Sequence, residues 1–333
     1  MTDKILEKIK EEFKVQPPIQ KEKDLQKCFD EFAKNLAKNF DGISYSKGYL
    51  KDNLNNGTII FEKSRKPDGC FEKDNEKVYI EIKPLLNNYN DQSRTMEYNT
   101  IRDGIFQALT YTTFGDDAIS IIWKENKSNL CSNKMKIIIE NVHNWLGIKH
   151  ISKDNFDFFI LPAENKSSES QNKSSKCPDE LKEKFKKVIN YVKEKIDLRK
   201  LETRDLDNFD NFRQNLQQKI EKILNNEFFP NIKNNYHQIY SNNNHHLSLQ
   251  CHILSQKSAG EGDQILGSNL LYSLLSEKHW SISVVLCKKT YKNFLPCEKT
   301  QDLVKRVWEK TGACWIFKGF FNNEEVFWAP TEL

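Results

Sequence analysis

Three side chains in the first third of the chain have the types and spacing for ionic chemistry: Asp68, Glu81 and Lys83. Residues 77–83 read as a strand, in which successive side chains alternate between faces. Val78, Ile80 and Ile82 then point one way and Tyr79, Glu81 and Lys83 the other, so a carboxylate and an amine project side by side. Residues 65–71 read as a preceding strand. A turn at Lys73-Asp74-Asn75-Glu76 joins the two into a hairpin whose register sets Asp68 directly opposite Glu81. Directly opposed positions hold their Cβ atoms about 4.5–5.5 Å apart, and like charges so placed repel. A divalent cation neutralises such a pair, and Mg2+ suits an all-oxygen donor set. Lys83 is then placed to hold or deprotonate a water beside the metal. This is the layout for metal-assisted hydrolysis of a phosphodiester, with Lys83 orienting the water and stabilising developing charge.

The elements that must position these groups follow from periodicity. Leu25, Phe29, Phe32 and Leu36 recur at helical spacing over residues 21–40. Residues 58–62 read as a short strand, and Pro84 is expected to end the 77–83 strand. A helix over 99–113 precedes strands at 118–123, 134–140 and 156–161. A low-complexity stretch, 165–176, then reads as a solvated linker. Beyond it, Leu181, Phe185, Val188, Ile189, Val192 and Ile196 stripe a helix over 179–202, and another helix covers 207–225. Strands at 247–254, 280–288, 313–319 and 324–328 alternate with helices near 263–277 and 299–311. The expected organisation is α/β throughout: a mixed central sheet flanked by helices over 20–163, a linker over 164–178, and a second α/β region over 179–333. No internal repeat is visible.

Pro67-Asp68, twelve intervening residues, then Glu81-Ile82-Lys83 resembles the PD-(D/E)XK nuclease superfamily of restriction endonucleases, RecB-like exonucleases and Holliday-junction resolvases. Gln107-Ala-Leu-Thr-Tyr111 on the following helix resembles the Gln-x-x-x-Tyr motif of its RecB-like branch, and Glu22 resembles the acidic residue on its first helix. On a helical wheel Glu22 lies near the core side, whereas Glu31 is expected in solvent. The resemblance covers residues 20–125 and implies a restriction-endonuclease-like core and Mg2+- or Mn2+-dependent phosphodiester hydrolysis, with DNA the favoured substrate and RNA left open. It further implies that Asp68, Glu81 and the backbone carbonyl of Ile82 bind metal, Lys83 positions the attacking water, Glu22 assists, and Gln107 and Tyr111 hold the nucleic-acid strand. Lys66, beside the site, is a candidate phosphate contact. The contrasting expectation is a catalytically inactive module on the same fold that binds nucleic acid or protein. Residues 179–333 are open to roles in targeting, oligomerisation or partner binding.

Composition narrows the classes further. The 333 residues are 38% hydrophobic and 29% charged, with a net charge of +4, which fits a polyanionic partner without requiring one. No apolar run approaches the roughly 20 residues that span a bilayer, and the first residues lack a secretory apolar core. The 8 cysteines form no Cys-x-x-Cys pair and read as reduced thiols, so an intracellular setting is expected. His245-His246 and Cys251-His252 do not make a metal site, because a strand there sends Cys251 to the core and His252 the opposite way. A glycine-rich stretch at 260–267 fits no phosphate loop, since Glu261 and Asp263 would repel phosphate.

Overall fold

Two amphipathic helices open the chain. α1 (Thr2–Glu12) buries Ile5, Leu6 and Ile9, and α2 (Glu22–Asn39) buries Leu25, Phe29, Ala33 and Leu36, each set a single apolar stripe. Glu22 and Asp24 sit in the first turn of α2, where the helix dipole favours negative charge. The computed structural model describes residues 1–15, 19, 21–47, 67–85, 93–112, 117–124, 133–155, 158–160, 172–199, 207–224, 238–242, 245–254, 259–288, 298–321, 324–331 and 333. The chain divides into two compact units, one spanning Met1–Asn53 and Ser64–Ser167, the other taking in Ser168–Leu333.

The first unit is built on a six-stranded mixed sheet of order β1-β2-β3-β4-β5-β6. Its strands are β1 (Ser44–Lys47), β2 (Gly69–Lys73), β3 (Glu76–Leu85), β4 (Asp117–Lys124), β5 (Lys149–Lys153) and β6 (Phe158–Ile160). β1, β2 and β3 pair antiparallel, β3, β4 and β5 pair parallel, and β6 returns antiparallel to β5. Parallel neighbours need a crossover, which α3 (Ser93–Tyr111) and α4 (Asn133–Leu146) provide. The expected strand at 134–140 is therefore a helix. Its apolar run belongs to a longer stripe of Met135, Ile138, Ile139, Val142 and Leu146, spaced three and four apart. Phe71, Val78, Ile80, Ile82, Ile119 and Ile121 face α1 and α2 across one core, while α3 and α4 pack on β3, β4 and β5.

The hairpin has the expected register, from Lys73 opposite Glu76 to Gly69 opposite Ile80. Asp74 (φ 51°) and Asn75 (φ 70°) take the left-handed conformations of a two-residue turn whose twist matches the strands. β3, however, continues through Pro84 to Leu85. The Ile82 amide faces the β2 side, so Pro84, two residues on, turns its N–H-less nitrogen to that same edge, past the end of β2. The expected strand at 58–62 lies outside the described residues.

The second unit starts with α5 (Asp179–Lys195) and α6 (Asp207–Leu224). Its five-stranded mixed sheet has the order β11-β10-β9-β8-β7. Here β7 (Gln238–Asn242) and β8 (His245–Leu254) form a hairpin, α7 (Ala259–Ser273) crosses to β9 (His279–Cys287), α8 (Glu298–Thr311) crosses to β10 (Ala313–Phe321), and β11 (Glu324–Trp328) returns antiparallel. Its core joins Leu181, Phe185, Val188 and Val192 of α5 to Leu247, Leu249 and Cys251 of β8. From Asn172 the expected linker is already packed structure: Lys173–Lys176 forms a 3-10 turn, and the buried Lys173 ammonium donates to the carbonyls of Ser273, Ser276 and His279. From its hairpin onward the second unit repeats the path of the first, a repeat carried by register and burial and not by residue identity. The six described cysteines form no disulfide, and no helix among the described residues is long and apolar enough to cross a membrane.

Candidate active site

β2 ends at Gly69 while β3 runs on, leaving the Ile82 amide beyond its last paired neighbour. Asp68 fills that place. Its Oδ2 accepts the Ile82 N–H at 2.8 Å, and its own amide donates to the Ile80 carbonyl at 2.9 Å. In continued register the Asp68 amide would point away from β3. The chain therefore bends at Asp68, and its carboxylate caps the edge of β3 instead of lying squarely across from Glu81. The Tyr45 ring covers the neighbouring backbone so closely that a Cβ at Gly69 would meet it at 2.6 Å.

Glu81 and Lys83 share the opposite face of β3 from the Ile80 and Ile82 core side chains. The fully buried Tyr111, at the end of α3, donates its hydroxyl to Glu81 Oε2 at 2.8 Å. Lys83 Nζ lies 2.9 Å from Glu81 Oε1 and 2.7 Å from Glu22 Oε1. Gln26, one turn after Glu22, donates to Asp68 Oδ1 at 2.6 Å. Gly104 lets α3 approach the strands here: a Cβ would sit 2.9 Å from Ser120 Oγ and 3.7 Å from Lys83 Cγ. Glu22, Lys83, Glu81 and Tyr111, widely separated in sequence, are thus bonded in one chain, and Asp68 lies within electrostatic reach of Glu81, Lys83 and Glu22.

Among the described residues of the cluster, carboxylates outnumber cations. Three carboxylates against one ammonium leave a formal charge of −2 when all are ionised, and Glu81 is only 3% exposed. Burial first, and then the charge of Glu81, push the Asp68 carboxyl up to about 8, with the Ile82 N–H and Lys83 pulling the other way. Burial alone would lower Lys83, but Glu81 and Glu22 outweigh it and hold the ammonium above its usual range. Lys83 is therefore a fixed cation that donates hydrogen bonds, not a base.

Among the described residues, no group of three or more His, Cys, Asp or Glu is arranged to hold a metal ion. The residues that could hold one are fewer in acids: Asp68, Glu81 and the carbonyl of Ile82, which lies on the β3 edge that its N–H shares with Asp68. All are hard oxygen donors, and a divalent cation would cancel the −2 charge.

Comparison with known proteins leaves the chain on its own residues. No family model, curated protein or solved structure matches it.

Gln107 lies one turn before Tyr111 and is half-buried, and Glu31 is exposed on α2. Lys66 falls outside the described residues. Gln26 was not singled out by sequence, although its position four residues after Glu22 puts both on one helix face.

Proposed function

We propose that the first unit is a metal-dependent nuclease with a restriction-endonuclease-like core, hydrolysing phosphodiester bonds, with DNA as the favoured substrate. The observation that carries this reading is the gathering of Glu22, Asp68, Glu81 and Lys83 at one end of β3, where burial first and then the charge of Glu81 push the Asp68 carboxyl up to about 8. Among the described residues, these carboxylates outnumber the ammonium by two, a difference that a divalent cation would cancel. The mixed sheet flanked by helices, with the motif residues meeting at one strand edge, supports the same assignment.

Asp68, Glu81 and the Ile82 carbonyl would hold Mg2+ or Mn2+. When bound, such an ion supplies polarisation of the phosphoryl oxygens and a more acidic water. The chain's own residues do the rest. Lys83 donates to the attacking water or to a phosphoryl oxygen, orienting the first and stabilising charge on the second. Glu22 holds Lys83 in place, Gln26 orients Asp68, and Tyr111 orients Glu81. The water oxygen bonds to phosphorus as the ester P–O bond breaks, the water gives a proton to solvent, and the leaving oxygen takes one from solvent. Because Tyr111 is buried and bonded to Glu81, its part is positioning, which leaves Gln107 of that pair for the nucleic-acid backbone.

Purified protein incubated with circular, linear and single-stranded DNA tests this. Cleavage should require Mg2+ or Mn2+, stop with EDTA, and be lost in Asp68→Asn, Glu81→Gln and Lys83→Ala proteins that keep the wild-type circular dichroism. Full activity in any folded variant of these three would remove that residue from the mechanism. Binding of DNA without cleavage in every metal would leave a nucleic-acid-binding module.

A further inference from the structure

The two units correspond residue by residue as well as strand by strand. Lys153 on β5 and Lys318 on β10 are both buried, and each gives its ammonium to carbonyls at the end of its unit's first helix. Lys153 donates to Ile9 and Lys10, and Lys318 to Val192 and Lys193. The stripes of those helices also match, with Ile5, Leu6 and Ile9 answering to Val188, Ile189 and Val192. Each lysine lies six residues after a glycine with φ 71°, Gly147 or Gly312, and each glycine follows a helix of 14 residues.

From the lysines, strand register carries the equivalence across both sheets. Trp123 pairs with Lys153 and Leu286 with Lys318, so Ser120 corresponds to Ser283. Ser120 pairs with Glu81 and Ser283 with Gln250. Gln250 therefore stands where Glu81 stands, and His252 where Lys83 stands. The crossover helices agree independently. Gly104 of α3 lies against Ser120 Oγ, and Asn269 of α7 donates to Ser283 Oγ. Counted from that pair, residues 101–109 and 266–274 have the same order of buried and half-buried positions.

The second copy has lost the ionic set. An amide replaces the buried carboxylate and an imidazole replaces the ammonium, while His237 precedes β7 in sequence where Asp68 precedes β2. Among the described residues no acids are opposed at Gln250, so nothing described there calls for a hard cation. We infer that the chain carries two copies of one fold, that only the first retains a metal centre, and that each chain therefore breaks one strand per engagement, leaving a nick. This rests on the nuclease reading of the first unit.

The test is Mn2+ calorimetry with supercoiled plasmid cleavage, on full-length wild-type, Glu81→Gln and His252→Ala proteins. Wild type should bind Mn2+ and accumulate open circles before linear product when plasmid exceeds protein. Glu81→Gln should lose all Mn2+ binding and all cleavage, and His252→Ala should keep both within twofold. Two Mn2+ sites in wild type, of which Glu81→Gln and His252→Ala each remove one, or linear product formed without an open-circle stage, would overturn the single-centre inference alone. No Mn2+ binding and no cleavage by wild type would instead overturn the nuclease reading beneath it.

Discussion

At the scale of single residues, Asp68 is the most informative side chain because what it does for the site works against the fold. With its pKa at about 8 in the folded chain and an ordinary 3.8 when unfolded, the native state holds a proton the unfolded chain has released. The folded state binds more protons across that window, so the metal-free protein loses stability as pH rises from 3.8 to about 8. Asp68→Asn keeps the shape without the charge and should stabilise the metal-free protein at pH 7.5 by about 2 kcal/mol, measured by chemical denaturation, while abolishing cleavage. A cation entering the site must displace that proton, so wild-type affinity for Mn2+ should rise about tenfold per pH unit between about pH 6 and 8 and then level off. Calorimetry at several pH values reads this directly. Tyr111→Phe removes one hydroxyl from a buried carboxylate and should cost about 1–2 kcal/mol of stability. It should also lower kcat more than it raises KM, as expected of a residue that orients Glu81 without touching substrate.

At the scale of elements, the site depends on one strand outlasting its neighbour. The alternation of Val78, Ile80 and Ile82 with Glu81 and Lys83 was legible, as was the hairpin register, because both follow from period two and a two-residue turn. The bend at Asp68 was not, since it comes from β2 ending at Gly69 under the Tyr45 ring, a contact from a distant strand. Residues 134–140 read as a strand from sequence because the Ile-Ile-Ile run carries no period of its own; the parallel pairing of β4 and β5 requires the helix instead. The glycines that end α4 and α8 give a paired test. Both have φ 71°, but a Cβ at Gly147 meets nothing within 4 Å, whereas at Gly312 it meets the buried Trp280 ring at 2.6 Å. Gly147→Ala should cost about 1–2 kcal/mol in strain, and Gly312→Ala clearly more, about 3 kcal/mol, because the ring must also move. Equal losses in urea denaturation would contradict the placement of Trp280.

At the scale of the whole molecule, the chain uses one plan twice. The repeat was invisible in sequence because sheet cores accept any well-fitting apolar residue, so Ile138, Ile139 and Val142 can stand for Leu303, Val304 and Val307 without a shared identity at most positions. What persists is what cannot be exchanged freely: a glycine at positive φ and a buried lysine on helix-end carbonyls. Lys153→Met and Lys318→Met should therefore each destabilise by about 2 kcal/mol, since each leaves carbonyls at a helix end without their donor. At the matched positions of the site the units differ in chemistry, Glu81 against Gln250 and Lys83 against His252. The claim beneath all of this is that the acidic edge of β3 takes up a divalent cation. Titrating metal-free wild-type protein with Mn2+ at pH 8.5, alongside Glu81→Gln, measures it most directly: the account predicts saturable heat and a raised melting temperature in the wild type and neither in the variant. Wild-type protein that shows no heat and no stabilisation, or a variant that shows both, would contradict it.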